Sequence, residues 1–489
     1  MSTTSLKPAR LFEIFEAICQ VPRPSKHEEQ ISAWLAEFGR SHGFATKVDA
    51  VGNVAISVPA TPGMENRKGI ILQAHMDMVC ESNRDVQHDF LRDPIRTVVD
   101  GEWLRAEGTT LGADDGIGVA AALAVITDPD VKHGPLQCVF TVDEETGLTG
   151  AEAMQAGFME GDILVNLDSE DEGEMFIGCA GGCRTDVRFR YTPVAVPDGY
   201  FFFSVSVDGL MGGHSGDDID KGRANANKLL CRFLSQAAEQ FDLRLCTIEG
   251  GNKHNAIPRE AQALCAVPMK DKEAVRTLFN VVAAECEAEF AAVEKTPRFL
   301  MQSAGSVPTS IDPDTSRRFL MAVQGVFNGV YAMNFDVPGL VETSSNLASI
   351  RLEEGDAGGV IHLVLSQRSS TLSGRSDVAR TVCATFQLAG AETEVGEGYP
   401  GWKPNADSEI LRITVAQYER LFGKKPVVRA IHAGLECGLF MEKYPDLDMI
   451  SFGPTLRGVH SPDERLLIPT ADLFWRHLVA VLEAAPEQN

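Results

Sequence analysis

Short apolar runs that end in a histidine or a carboxylate recur along this chain, and they restrict its fold more than any other feature. Ile70-Ile71-Leu72-Gln73-Ala74 leads into His75-Met76-Asp77. Val139-Phe140-Thr141-Val142 leads into Asp143-Glu144-Glu145. Ile163-Leu164-Val165-Asn166-Leu167 leads into Asp168. Runs of this length, bounded by turn signals, read as buried strands. Between the first two lies Gly116 to Ile126, an apolar, Ala-rich helix. Strand alternating with helix predicts an α/β layered sheet. In open sheets of that class, ligands gather beyond the carboxyl ends of the strands.

The rest of the chain fits one domain interrupted by another. Leu11 to Gly39 reads as two helices split by Pro22 and Pro24. Val54 to Val58 reads as a further strand. From about Gly182 the grammar becomes antiparallel α+β. Strands at Arg184 to Tyr191 and Tyr200 to Val207 lead to helix Arg223 to Gln240, and strands and helices continue to Ala389. Helix Glu409 to Phe422, strands at Val427 to Ile431 and Met449 to Phe452, and helix Ala471 to Ala484 return to the first style. The expected organisation is therefore 1–182 and 389–489 as one α/β domain, with 183–388 inserted.

Composition narrows the function. The chain has 489 residues, 44% hydrophobic and 23% charged, within the globular range. Its net charge of −25 repels phosphate backbones and anionic lipid, so neither nucleic acid nor membrane is expected as a partner. No apolar run is long enough to span a bilayer, and no apolar stretch follows a basic start as in a leader. Eleven scattered cysteines read as reduced thiols of a cytoplasmic protein, and Cys179 with Cys183 has no second pair to complete a zinc-finger pattern.

The chemistry lies in the residues that close the strands. Alternate strand positions face the same side, so His75 and Asp77 are neighbours; Asp77 would either orient the imidazole or bind a metal itself. In Gly112-Ala113-Asp114-Asp115-Gly116-Ile117-Gly118, two adjacent carboxylates repel, which a cation would relieve, although Asp also suits a helix N-terminus. Gly116-x-Gly118-x-x-Ala121 resembles a dinucleotide-binding loop, but no buried strand precedes it. His460, between Gly- and Pro-rich turns, reads as a loop residue. Gly213-His214-Ser215-Gly216 has the wrong glycine spacing for a serine nucleophile elbow. Two histidines and three acids, one of them bridging, satisfy two zinc-like ions about 3.5–4 Å apart. A remaining glutamate can act as general base.

These runs, with Glu144-Glu145-Thr146-Gly147 and Gly458-Val459-His460-Ser461-Pro462-Asp463-Glu464, resemble the di-zinc exopeptidases related to carboxypeptidase G2. Three further stretches narrow the resemblance to the cytosolic aminoacyl-histidine (Xaa-His) dipeptidases. They are Gly212-Gly213-His214-Ser215-Gly216, Asn252-Lys253-His254-Asn255-Ala256-Ile257-Pro258-Arg259 and Ile431-His432-Ala433-Gly434-Leu435-Glu436-Cys437-Gly438. The resemblance implies an α/β catalytic domain, a mixed sheet sandwiched by helices, interrupted by an α+β lid and dimerisation domain. It implies two Zn2+ per chain, with Co2+ or Mn2+ able to substitute. His75 and Asp168 would hold one ion, Glu145 and His460 the other, and Asp114 would bridge them. Asp77 would orient His75, Glu144 would be the general base, and His214 would stabilise the oxyanion. Asn255, Arg368 and Glu436 would contact the substrate. Many relatives carry Asn after the bridging Asp, where this chain has Asp115. The implied activity is hydrolysis of dipeptides such as β-alanyl-histidine by a homodimer. N-acyl amino acid deacylation, another peptidase specificity or an inactive binding protein are the alternatives.

Overall fold

The computed structural model describes residues 6–335, 337, 339–355 and 358–488. Residues 1–5, the start of the N-terminal stretch expected to carry no leader, lie outside them. The chain divides into two compact units. One comprises Met1–Gly178, Trp402–Ala430 and Leu435–Asn489; the other comprises Cys179–Gly401 and Ile431–Gly434. The second unit thus starts at Cys179 rather than 183 and runs to Gly401 rather than 388, and it includes residues 431–434. Backbone pairing explains the longer reach. Strand Glu392–Val395 pairs with Gly181–Tyr191, and Tyr399 bridges to Gly182.

The first unit is built on an eight-stranded mixed sheet. Its order is Ala45–Val48, Val54–Val58, Leu136–Thr141, Ile70–His75, Ile163–Asn166, Asp448–Ser451, Glu174–Cys179 and Val427–Ile431. The four strands from Leu136–Thr141 to Asp448–Ser451 run parallel. Leu136–Thr141, Ile70–His75 and Ile163–Asn166 are buried at every position. Both faces of the sheet are therefore covered there, as parallel sheets require. Helix Ala113–Thr127 packs on two of these strands and under helix Ala9–Cys19. It is buried from Ala113 to Ile126, which is why its sequence has no polar face.

Short elements escaped the sequence reading. Strand Glu174–Cys179 completes the main sheet, and helix Glu436–Lys443 follows the Ile431 to Leu435 turn. A four-stranded sheet joins Leu456–Arg457, Arg465–Leu467, Trp103–Ala106 and Thr97–Asp100. Such short pieces are below the length at which periodicity separates strand from loop.

The second unit carries an antiparallel sheet ordered Arg298–Ser303, Tyr200–Asp208, Ala261–Pro268, Arg244–Gly250, Val341–Gly355, Gly358–Ser369, Gly181–Tyr191 and Glu392–Val395, with Gly329–Met333 on the side. Tyr200–Asp208 alternates buried with half-buried positions, the pattern of a sheet packed on one face. Helices Ala226–Gln240, Pro313–Gly325 and Leu372–Leu388 supply that packing. All eleven cysteines are thiols. Among the described residues, no helix is long and apolar enough to cross a membrane.

The closing helix Ile468–Glu483 contains a titratable weak point. His477 is 3% exposed, donates from Nε2 to the Thr414 carbonyl at 2.9 Å, and packs on Tyr418 and Phe452. Burial pushes its pKa down to about 4. An imidazole depressed in the folded state leaves stability complete above its unfolded pKa and removes it as pH falls toward the folded one. Between about pH 6.5 and 4 the protein should lose on the order of 3 kcal/mol through this residue. Urea unfolding across that range should show a flatter acid limb for His477→Gln, which keeps the donor and cannot titrate.

Candidate metal centre

Parallel pairing sets the site. His75 ends one strand opposite Thr141, the last residue of its neighbour, and Gln73 lies opposite Asn166, the last residue of the next. The residues that follow, Asp143-Glu144-Glu145 and Asp168, therefore emerge beside His75 at one edge of the sheet. Asp114 joins them from the start of helix Ala113–Thr127. His460 arrives on the loop between Leu456–Arg457 and Arg465–Leu467, with φ of 61°, a left-handed conformation uncommon outside glycine.

Asp114 lies between the two histidines. Its Oδ1 is 3.2 Å from His75 Nε2, and its Oδ2 is 3.3 Å from His460 Nε2. Asp168 Oδ1 is 4.0 Å from His75 Nε2, and Glu145 Oε2 is 2.9 Å from His460 Nε2. The result is two three-ligand groups, His75–Asp114–Asp168 and Asp114–Glu145–His460, each with its ligand atoms within 4.8 Å of one another. They share a single carboxylate that offers one oxygen to each.

The electrostatics match a cation site. Burial pushes Glu144 and Asp168 well above the usual carboxylate range, His75 opposes this, and neighbouring carboxylates add to it. Burial also works against Asp114, but its bonds to His460 and His75 outweigh that and hold it low. Bonds to Asp114 and Glu145 raise His460 to about 11. Buried Glu145 Oε1 has no hydrogen-bond partner. Groups that hold protons this way are those a divalent ion displaces them from. The donor set of imidazole nitrogens and carboxylate oxygens suits zinc, cobalt or manganese.

Around this set lies a supporting shell. Asp77 Oδ1 is 3.3 Å from His75 Nδ1 and accepts the Glu144 N–H at 3.1 Å; its Oδ2 accepts from Ser25 and from the Glu145 N–H. One carboxylate thus orients the histidine and the two glutamates together. Glu28, Asp77 and Asp143 form a third acidic group, but donors already occupy it. Glu28 takes the Lys26 and Asp143 N–H groups, and Asp143 takes the Thr146 and Thr149 hydroxyls.

The glycine-rich run is explained by two charged side chains packed against it. Gly112 has φ of 66°, and a Cβ there would meet Arg23 Nη2 at 2.5 Å; one on Gly116 would meet the same nitrogen at 2.6 Å. Asp115 Oδ1 accepts the Gly118 N–H at 3.1 Å, and a Cβ on Gly118 would strike it. Asp115 is 2% exposed, and burial pushes it well above the carboxylate range.

The remaining sequence candidates fall in two places. Glu436, in the first unit, is 1% exposed; its Oε2 accepts from Gln73 at 2.6 Å and from Thr141 at 2.8 Å, while Oε1 has no partner. Burial raises it to about 7. His214, Asn255 and Arg368 share the second unit. Gly213–His214 pairs with Ala256–Ile257, and the Ser215 N–H donates to the Asn255 carbonyl. The Gly216 and Asp217 N–H groups point at His214 Nδ1 at 3.3 and 3.2 Å. Arg368 is 7% exposed, donates to the Tyr399 hydroxyl at 2.9 Å and lies 3.4 Å from His214 Nε2. Ser215 is buried against Ser366, which suits no nucleophile. Sequence reasoning missed Arg23, Ser25, Glu28 and Gln73, whose roles depend on which backbone they meet. It quoted Glu464 without a role.

The family model for peptidase family M20/M25/M40 matches residues 71–484. The chain belongs to that family. It is 43% identical over 99% of its length to the cytosol non-specific dipeptidase of Escherichia coli, of which it covers 99%. The structure of an aminoacylhistidine dipeptidase from Vibrio alginolyticus superposes with a TM-score of 0.92 at 46% identity, covering 100% of this chain and 99% of that one. A Staphylococcus aureus tripeptidase shares only the fold, at TM-score 0.56 and 16% identity. Membership in the M20/M25/M40 peptidases implies a divalent metal, and the two ligand groups fit one.

If these carboxylates are held together by bound cations, chelation should destabilise the protein and added metal should restore it. At a metal concentration about 1,000 times the Kd, the gain is about 4 kcal/mol per site. Thermal melts with chelator, and then with excess Zn2+ or Mn2+, should show a fall and a recovery of several degrees.

Proposed function

We propose that this chain is a metal-dependent dipeptidase that prefers Xaa-His dipeptides such as β-alanyl-histidine and works as a cytoplasmic homodimer with two Zn2+ per chain. The observation that carries this is the single carboxylate of Asp114 with one oxygen toward each of two histidines, in a chain whose near-full-length relatives are dipeptidases. The bound cations would supply an activated water and a counter-charge for the developing oxyanion.

The chain's own residues do the rest. His75 and Asp168 would hold one ion, Glu145 and His460 the other, and Asp114 both. Asp77 keeps the His75 ring in place through Nδ1. Glu144 takes the proton of the attacking water and passes it to the leaving amine. Its elevated proton affinity suits that exchange. His214 would donate a hydrogen bond to the carbonyl oxygen as charge develops there. Asn255 and Arg368 would hold the substrate carboxylate, and Glu436 would contact the substrate through the oxygen that has no partner.

The names of these two relatives differ in breadth: one is called a non-specific dipeptidase and the other an aminoacylhistidine dipeptidase. A panel of β-alanyl-histidine, Leu-His, Leu-Leu and N-acetyl-His ranks them. Cleavage of the Xaa-His members with a several-fold advantage in kcat/KM is expected. Equal rates across all dipeptides would remove the histidine preference, and cleavage of N-acetyl-His alone would move the function to deacylation. The inactive alternative predicts no turnover, although every proposed ligand and Glu144 are in place.

Two variants test the roles. Glu144→Ala should keep both metals and lose at least about 1,000-fold in kcat, in line with removal of a general base. His214→Ala should lose about 100- to 1,000-fold in kcat with unchanged metal content, as for an oxyanion donor. Atomic absorption beside steady-state kinetics separates these from loss of metal.

A further inference from the structure

The loop that presents Asp114 is gripped from both sides by residues that no ligand assignment includes. Glu464 is 2% exposed and accepts four consecutive backbone N–H groups. Oε2 takes those of Leu111 and Gly112 at 2.8 and 2.9 Å; Oε1 takes those of Ala113 and Asp114 at 2.7 and 3.3 Å. Arg23, also 2% exposed, donates to the Gly112 carbonyl of the same loop. Its other terminal nitrogen reaches the carbonyls of Met76 at 3.2 Å and Asp77 at 2.9 Å, just past the strand that ends in His75.

These contacts connect ligands that belong to different chain segments. Glu464 lies on the His460 loop, and its own N–H closes that loop on the Ser461 carbonyl. Through its carboxylate it ties His460 to Asp114, two members of one ligand group. Arg23 ties the end of the His75 strand to the Asp114 loop, two members of the other group. A buried carboxylate with four N–H donors and a buried guanidinium with three carbonyl acceptors leave little freedom for either loop. Among the described residues, neither side chain has a salt-bridge partner at these bonds, yet each is buried with backbone groups as its hydrogen-bond partners.

We propose that Glu464 and Arg23 are positioning residues that set the distance between the two metal positions, Glu464 for the Glu145–His460 side and Arg23 for the His75–Asp168 side. The inference rests on the two-metal reading of the ligand groups. Outer-shell partners of metal ligands are typically worth 10- to 100-fold in metal affinity. Glu464→Gln replaces one acceptor oxygen by an amide that faces two N–H donors. It should weaken the Glu145–His460 position about 10- to 100-fold and the other position less, since Asp114 serves both. Glu464→Asp, which keeps the charge, should recover part of that loss. Arg23→Lys, which can reach only some of the three carbonyls, should weaken the opposite position.

The test is competition of each full-length variant with a chromophoric chelator for Zn2+. It is accompanied by the visible spectrum of the Co2+-loaded protein and by melting of the metal-free protein. Stepwise affinities that split as described, with an altered Co2+ spectrum at full loading, support the proposal. Wild-type affinities and spectra in both Glu464→Gln and Arg23→Lys overturn it. An equal loss at both positions that tracks a lowered metal-free melting temperature also overturns it, since that is the mark of a purely structural contact. If Glu464→Gln does not fold, Glu464→Asp decides by the same readouts. His460→Ala is the control for the reading beneath. Two metals at wild-type affinity in that variant would sink the ligand assignment itself. One metal lost there, with both positioning variants unchanged, would sink only the positioning role.

Discussion

Carboxyl groups brought together out of water repel one another unless something positive lies among them, and the first unit is organised around that constraint. Asp77, Asp114, Glu144, Glu145 and Asp168 meet only two imidazoles. In a low-dielectric setting such an excess is costly. Protons can relieve it, and the raised affinities of Glu144, Asp168 and His460 show where they would go. Divalent cations relieve it better, because each is shared by several oxygens and nitrogens at once. The arrangement therefore stores its function as an electrostatic demand that only bound metal satisfies fully.

That demand could not be held by loops alone. The central parallel strands are buried at every position, and their pairing places His75 level with Thr141 and Gln73 level with Asn166. Beneath the ligands a polar chain crosses the sheet. Glu436 accepts from Gln73 and Thr141, the Gln73 carbonyl accepts from Asn166, and Asn166 accepts from Ser451. Each amide is fixed in orientation by its neighbours, so the strands cannot shift register without breaking several buried bonds. The ligand loops are fixed in turn by Asp77, Arg23 and Glu464. Precision at the site comes from these connected layers rather than from the ligands.

Much of the site was legible because strand ends write themselves into sequence. An apolar run stopping at His or Asp marks both the strand and its exposed carboxyl end, so His75, Asp114, Glu145, Asp168 and His460 could be named from the residues and their resemblance to known motifs. Most long elements were legible for the same reason: their periodicity covers enough residues to average over exceptions. Glu174–Cys179 and the short strands near Trp103 and Leu456 were not, since Gly178 interrupts the first and the others lack the length that marks a strand. The inserted unit ended later than composition suggested because its last strand, Glu392–Val395, follows a helix and adds to the sheet edge by backbone pairing.

Taken by itself, the sequence determined the alternation of strand and helix, the interrupted domain order, and the residue types able to hold metal. Those properties depend on local composition and on spacing along the chain. Only the tertiary structure decided that Asp114 turns one oxygen to each histidine, that Asp143 takes the Thr146 and Thr149 hydroxyls while Glu145 lies beside His460, and that Arg23 and Glu464 close on one loop from opposite ends of the chain. Residues 23, 112 and 464 have no sequence relation to one another. What joins them is a hydrogen bond to a backbone group, and every residue has the same backbone, so no side-chain pattern could announce it.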